Sequence, residues 1–101
     1  MATLTVVYWR DIPAQVIAKV GRRNAKRVLP ERFEKAIDQS AMRAKLRDTD
    51  SYLEQWRRGD PVDCGDDLET EAGTLAARLD AEFSDDVLAA YVRNGGLKPA
   101  D

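Results

Sequence analysis

The apolar residues of this chain change period once, at Pro30, and that change limits the possible folds more than any other feature. Before it the apolar residues fit strand alternation, with a helix left open over 14–20, and beyond Pro30 they recur at three and four, as in a helix. Strands followed by helices define an α+β chain. The expectation is a small N-terminal antiparallel sheet of two or three strands packed against three or four helices. With 101 residues and no linker, repeat or low-complexity tract, the chain reads as one domain over 1–95 with a frayed tail over 96–101.

The run ATLTVVYW, residues 2–9, is rich in Thr, Val and aromatics that suit a pleated surface, and it reads as the first strand. Leu4, Val6 and Tyr8 alternate with Thr5, Val7 and Trp9, so both faces are partly apolar. Pro13 then biases Ile12 away from helix. Residues 14–20 fit either a second strand, pairing back as a hairpin, or a helix opened by Pro13. Gly21 ends that segment, and a charged turn leads to a short third strand around Ala25 to Leu29.

Pro30 to Leu46 reads as the first helix, with Phe33, Ile37, Ala41 and Ala44 on one face, acids in its first turns and basic residues near its end. A short second helix is expected from Asp50 or Ser51, with Ser51 and Glu54 spaced as a capping box, Leu53 and Trp56 inward, and a stop at Gly59-Asp60-Pro61. A third starts at Asp66 or Asp67 and carries the stripe Leu68, Ala72, Leu75, Leu79, Phe83. Gly73 interrupts this stripe, which implies close packing or simple tolerance. Ser84 is placed to cap a fourth, ended by Asn94-Gly95-Gly96.

The composition removes most routes to chemistry. Histidine is absent, and with it the commonest general base and metal ligand. Cys64 is the single cysteine, so no intramolecular disulfide forms and the cytoplasm is the simplest home. Asp63, Asp66 and Asp67 around it disfavour a thiolate. The acidic segment 60–71 lacks the alternating ligands of a calcium loop and reads as a solvated loop and helix start. No glycine pattern cradles phosphate. These exclusions leave no expected catalytic residue, metal site or cofactor, and point to a non-catalytic protein. No apolar run reaches the ~18 residues of a spanning helix, and the start lacks the basic region of an export signal, so neither membrane nor export is expected.

Charge is the one positive signal. Residues 1–35 hold eight Lys/Arg against three Asp/Glu, a balance of +5, inside a chain of net charge −2. Arg10, Lys19, Arg22, Arg23, Lys26 and Arg27 would form a basic sheet edge, with Arg10 brought near the others across a hairpin. Such an edge would steer an acidic protein partner, and Trp9 or Trp56, if exposed, would anchor it. The alternative is a nucleic acid, its phosphates on the same cations and a base stacked on Tyr8 or Trp9. Against both stands the plainer function of edge cations, keeping a strand from pairing with another chain. The negative net charge further disfavours nucleic acid.

Three segments, YWRDIPAQVIAKVGR at 8–22, LPERFEKAID at 29–38 and YLEQWRRG at 52–59, together resemble the small bacterial "virulence factor" domain family. Its members stand alone in proteobacteria and lie beside HEAT repeats in some Gram-positive proteins. The likeness spans roughly residues 3 to 90 and carries no catalytic signature. It implies an accessory role beside corrinoid- or folate-dependent methyl transfer, with a methyltransferase component as partner. No family site residue transfers to this chain.

Overall fold

The computed structural model describes residues 2–45 and 49–99. Among them the order is β1 (Thr3–Trp9), β2 (Ile12–Val20), β3 (Arg23–Val28), α1 (Glu31–Arg43), α2 (Thr49–Glu54), β4 (Trp56–Arg58), β5 (Val62–Asp63), α3 (Leu68–Glu82) and α4 (Asp85–Arg93). The fold is α+β as expected, with a sheet of five strands where two or three were expected. Residues 14–20 are strand. Two-residue turns at Arg10-Asp11 and Gly21-Arg22 join β1, β2 and β3 into an antiparallel meander. β4 and β5 both pair antiparallel with β1 on its other side, giving the order β3-β2-β1-β4.

The register sorts the side chains. Leu4 lies opposite Ala18, and Ala18 opposite Ala25, so all three share one face, together with Val16. This face is buried and meets α3 through Leu68, Ala72 and Leu79. Near the first turn the pairing shifts: Val7 faces Gln15 while Tyr8 faces Pro13, leaving Ala14 as a bulge. The carbonyl of Ala14 instead accepts from the Leu29 amide at 3.0 Å, which directs the chain leaving β3 toward α1.

Trp9 closes the core at that end and is fully buried. Its indole N–H donates to the Tyr52 carbonyl at 3.0 Å, so its burial strands no polar atom. At ~25 cal/mol per Å², burying such a ring contributes about 5 kcal/mol as an upper bound. Phe33, Phe83 and Tyr91 form a chain of tilted rings joining α1, the end of α3 and α4. Arg32 fastens the same junction. Its guanidinium donates to the carbonyls of Phe83 and Asp80, reaches the Asp80 carboxylate at 2.6 Å, and lies 4.6 Å from the Phe33 ring centre.

Local helix signals are realised at α3 and α4. Asp67 accepts from the Thr70 amide and Ser84 from the Val87 amide, each at 3.3 Å. The buried residues of α1 include Phe33, Ile37 and Ala41 as expected. The helix ends at Arg43 rather than continuing to residue 46, which lies outside the described residues. The second helix is corrected more strongly. It already runs from Thr49, placing Ser51 inside it, and stops at Glu54, because Trp56–Arg58 pair with β1 as β4. Leu53, expected inward, is 54% exposed.

The expected frayed tail over 96–101 is also corrected for its described part. Gly96 is buried under the Trp9 ring, and its carbonyl accepts from the Asp11 amide at 2.9 Å. The Lys98 amide donates to the Asp11 carboxylate at 2.6 Å. Residues 96–98 therefore close onto the first turn of the sheet. Among the described residues, no helix is long and apolar enough to cross a membrane.

Candidate partner-binding face

The side of the sheet opposite Leu4, Val16 and Ala18 carries Thr3, Thr5, Val7, Gln15, Ile17 and Lys19 from β1 and β2. β3 adds Asn24, Lys26 and Val28, and Arg58 on β4 lies opposite Val7. None of these residues is buried. Lys19 and Lys26 are diagonal neighbours, since Lys19 pairs with Asn24 and Ile17 with Lys26. With Arg58 they surround a shallow depression of about 260 Å³ floored by Ile17. None of the three cations has an ion-pair or hydrogen-bond partner among the described residues. Arg22, exposed in the second turn, extends the positive end.

The other cations singled out in the sequence are placed elsewhere. Arg23 and Arg27 point to the α3 side of β3. Arg27 pairs with Glu69 at 3.6 Å, both side chains largely exposed, a contact worth little in water. Arg23 lines a cleft with Asp66, Asp67 and Glu69 at the start of α3. Arg10 sits at the opposite end of the β1–β2 hairpin from Lys19, about 25 Å away at ~3.3 Å per residue, so the expected approach across the hairpin does not occur. Its Nε donates to the Gln55 side chain at 3.1 Å and its Nη1 to the Gly95 carbonyl at 2.9 Å, which makes it part of the frame.

Of the two expected aromatic anchors, Trp9 is inside the core. Trp56 is half-buried, edge-on to Tyr52 with ring centres 6.1 Å apart. Tyr8, considered for base stacking, is covered by the Arg57 guanidinium, 4.5 Å from its ring centre. Arg58 was missed because a three-residue strand shows no periodicity. The run Trp56-Arg57-Arg58 therefore read as the tail of a helix.

The thiol of Cys64 is pushed up by burial first, then by the charges of Glu71, Asp66 and Asp63, which is opposite to what a nucleophile requires. The acids of segment 60–71 spread over β5, the following loop and the first turns of α3. Among the described residues no three groups are placed to hold a metal ion.

The geometry defines a small α+β module with one helix-covered sheet face and one open face that is basic at one end. The profile of the family described as Virulence factor matches residues 7–92, and the chain belongs to that family. No curated protein and no solved structure matches the chain.

Proposed function

We propose that this chain is a non-catalytic accessory module that binds an acidic surface of a protein partner through the open sheet face around Lys19, Lys26 and Arg58, with Arg22 at its margin. The observation that carries the proposal is the convergence of unpaired cations around an apolar floor. Charges without internal partners retain their full long-range attraction, while Ile17, Val7 and Val28 offer apolar area for contact. Within the family likeness, a component of corrinoid- or folate-dependent methyl transfer in the cytoplasm is the partner of choice.

Protein is favoured over nucleic acid because the two rings expected to stack on bases are occupied, Trp9 by the core and Tyr8 by Arg57, while the half-buried rings of Tyr52 and Trp56 share their groove with the carboxylates of Glu34 and Asp38, which repel phosphate. Affinity capture with purified methyltransferase components tests the proposal. Wild type should retain one of them, and a Lys19→Glu/Lys26→Glu/Arg58→Glu variant should lose it. Equal recovery by both would remove the open face from the proposal, and retardation of RNA or DNA at low salt would favour the alternative.

A further inference from the structure

The open face runs at its other end into a groove of about 290 Å³ whose chemistry is the reverse of the basic end. Gln15 and Val28 belong to both, so the two form one continuous surface. Its lining combines the buried side chains of Leu29 and Ile37, the half-buried rings of Tyr52 and Trp56, and the exposed Glu34 and Asp38 of α1. Glu34 and Asp38 are one helical turn apart, so both carboxylates project from the same face of α1. Neither has an ion-pair or hydrogen-bond partner among the described residues. The Tyr52 phenol is pushed up by burial first and then by the charges of Asp38 and Glu34, against a hydrogen bond with Trp56 that lowers it. The two carboxylates thus lie close enough to act on the Tyr52 ring in the same groove.

We infer that this groove receives an arginine side chain of a protein partner, its stem over Leu29 and Ile37, its guanidinium plane against Tyr52 or Trp56, and its N–H groups on Glu34 and Asp38. The size fits: at ~30 Å³ per water, the space equals about ten waters, enough for one long side chain. The chemistry fits as well. An arginine brings an apolar stem for Leu29 and Ile37, a weakly hydrated plane that stacks on aromatic faces, and a fork that two neighbouring carboxylates can share. A lysine would place a compact, strongly hydrated charge where planar stacking is on offer.

The inference does not depend on the basic end, and one titration separates them. Blocked arginine (N-acetyl-arginine methylamide) is added to the isotope-labelled full chain, with blocked citrulline as the neutral isostere and free agmatine as the small-molecule arm. Blocked arginine should move the Trp56 indole N–H and Ile37 methyl signals at millimolar concentration and leave the amides of Lys19 and Lys26 in place. Agmatine should bind no tighter than blocked arginine, and tighter binding would assign the groove to a free amine. Citrulline should produce no comparable shift. A Glu34→Gln/Asp38→Asn variant, altered only at exposed positions, should bind about tenfold more weakly, as expected for losing two exposed charge pairs. The Lys19→Glu/Lys26→Glu/Arg58→Glu variant should bind blocked arginine as wild type does, even where the acidic-partner proposal fails. Equal shifts with citrulline, an unchanged titration in the Glu34/Asp38 variant, or no movement of the Trp56 signal would overturn the inference.

Discussion

At Arg10-Asp11 and again at Gly21-Arg22 the chain reverses in two residues, and in both turns the first residue sits at positive φ, 53° at Arg10 and 58° at Gly21. Glycine adopts that conformation without penalty, whereas a side chain costs roughly 1–2 kcal/mol there. Arg10 is nonetheless held in place. Its amide donates to the Gln55 carbonyl at 2.9 Å, its guanidinium ties Gln55 and Gly95, and the Asp11 carboxylate accepts from Arg57 and from the Lys98 amide. Around Gly21 the space is open, and Arg22 projects into solvent. One turn is where the sheet, α2 and the C-terminal segment are locked together. The other only reverses the chain and presents charge. An arginine in a turn is therefore structural or available according to what surrounds it, and its position in a basic stretch of sequence does not say which.

The largest consequence falls at the locked end. A Cβ on Gly96 would stand 2.7 Å from Trp9 Cζ3, at φ 91°, so both packing and backbone oppose it. Gly96→Ala is expected to lose about 3–5 kcal/mol in chemical denaturation, from overpacking and left-handed strain together. A loss below ~1 kcal/mol would mean that the C-terminal segment does not seat on Trp9 as described.

Next in size is the contrast between the turn arginines. Arg10→Ala keeps the strained backbone and removes the ties to Gln55 and Gly95, for an expected loss of about 2 kcal/mol. Arg10→Gly removes the same ties but relieves the backbone, and should recover about 1 kcal/mol of that loss. Arg22→Ala should stay within ~0.5 kcal/mol of wild type. Equal losses at Arg10 and Arg22 would erase the distinction between the turns.

How far these roles could be read from sequence follows the range of the interactions. The Asp67 and Ser84 caps lie within three residues of the amides they satisfy, so a local pattern announces them. β4 has three residues and β5 two, too few to show an alternation, and they are strands only because β1 offers them an edge. This is why Trp56-Arg57-Arg58 read as helix and Arg58 escaped notice. Gly96 read as a simple stop because its partner, Trp9, is 87 positions away. The basic stretch was visible, but which of its members reach the open face was not. That depends on strand register, which splits Lys19 and Lys26 from Arg23 and Arg27.

Two other glycines give a smaller, paired effect. An added Cβ at Gly73, within α3, would meet the Arg27 guanidinium at ordinary contact distance, 3.6 Å, so the residue is tolerated rather than required. Gly73→Ala should therefore gain about 0.5–1 kcal/mol from helix propensity. Gly21→Ala, though nothing crowds it, should lose about 1 kcal/mol because its φ is positive. Thermal midpoints moving in the same direction would contradict the assignment.

The smallest effect is in pH. Burial pushes the phenols of Tyr52 and Tyr91 above their ordinary 10.0, helped at Tyr52 by Asp38 and Glu34 and at Tyr91 by Asp11 and Tyr8. A raised folded value favours the protonated, folded state. Its contribution is complete below pH 10 and is lost as pH rises through the folded values. Denaturant midpoints should fall slightly above pH 10, and Tyr91→Phe should flatten that fall.

The open face itself is best tested by lysine footprinting of the chain in complex with the proposed acidic partner. Acetylation of Lys19 and Lys26 should slow severalfold on binding, while Lys35, on α1, and Lys98, at the locked turn, continue to react as in the isolated chain. Protection of Lys35 or Lys98 with Lys19 and Lys26 unaffected would show that the partner docks elsewhere.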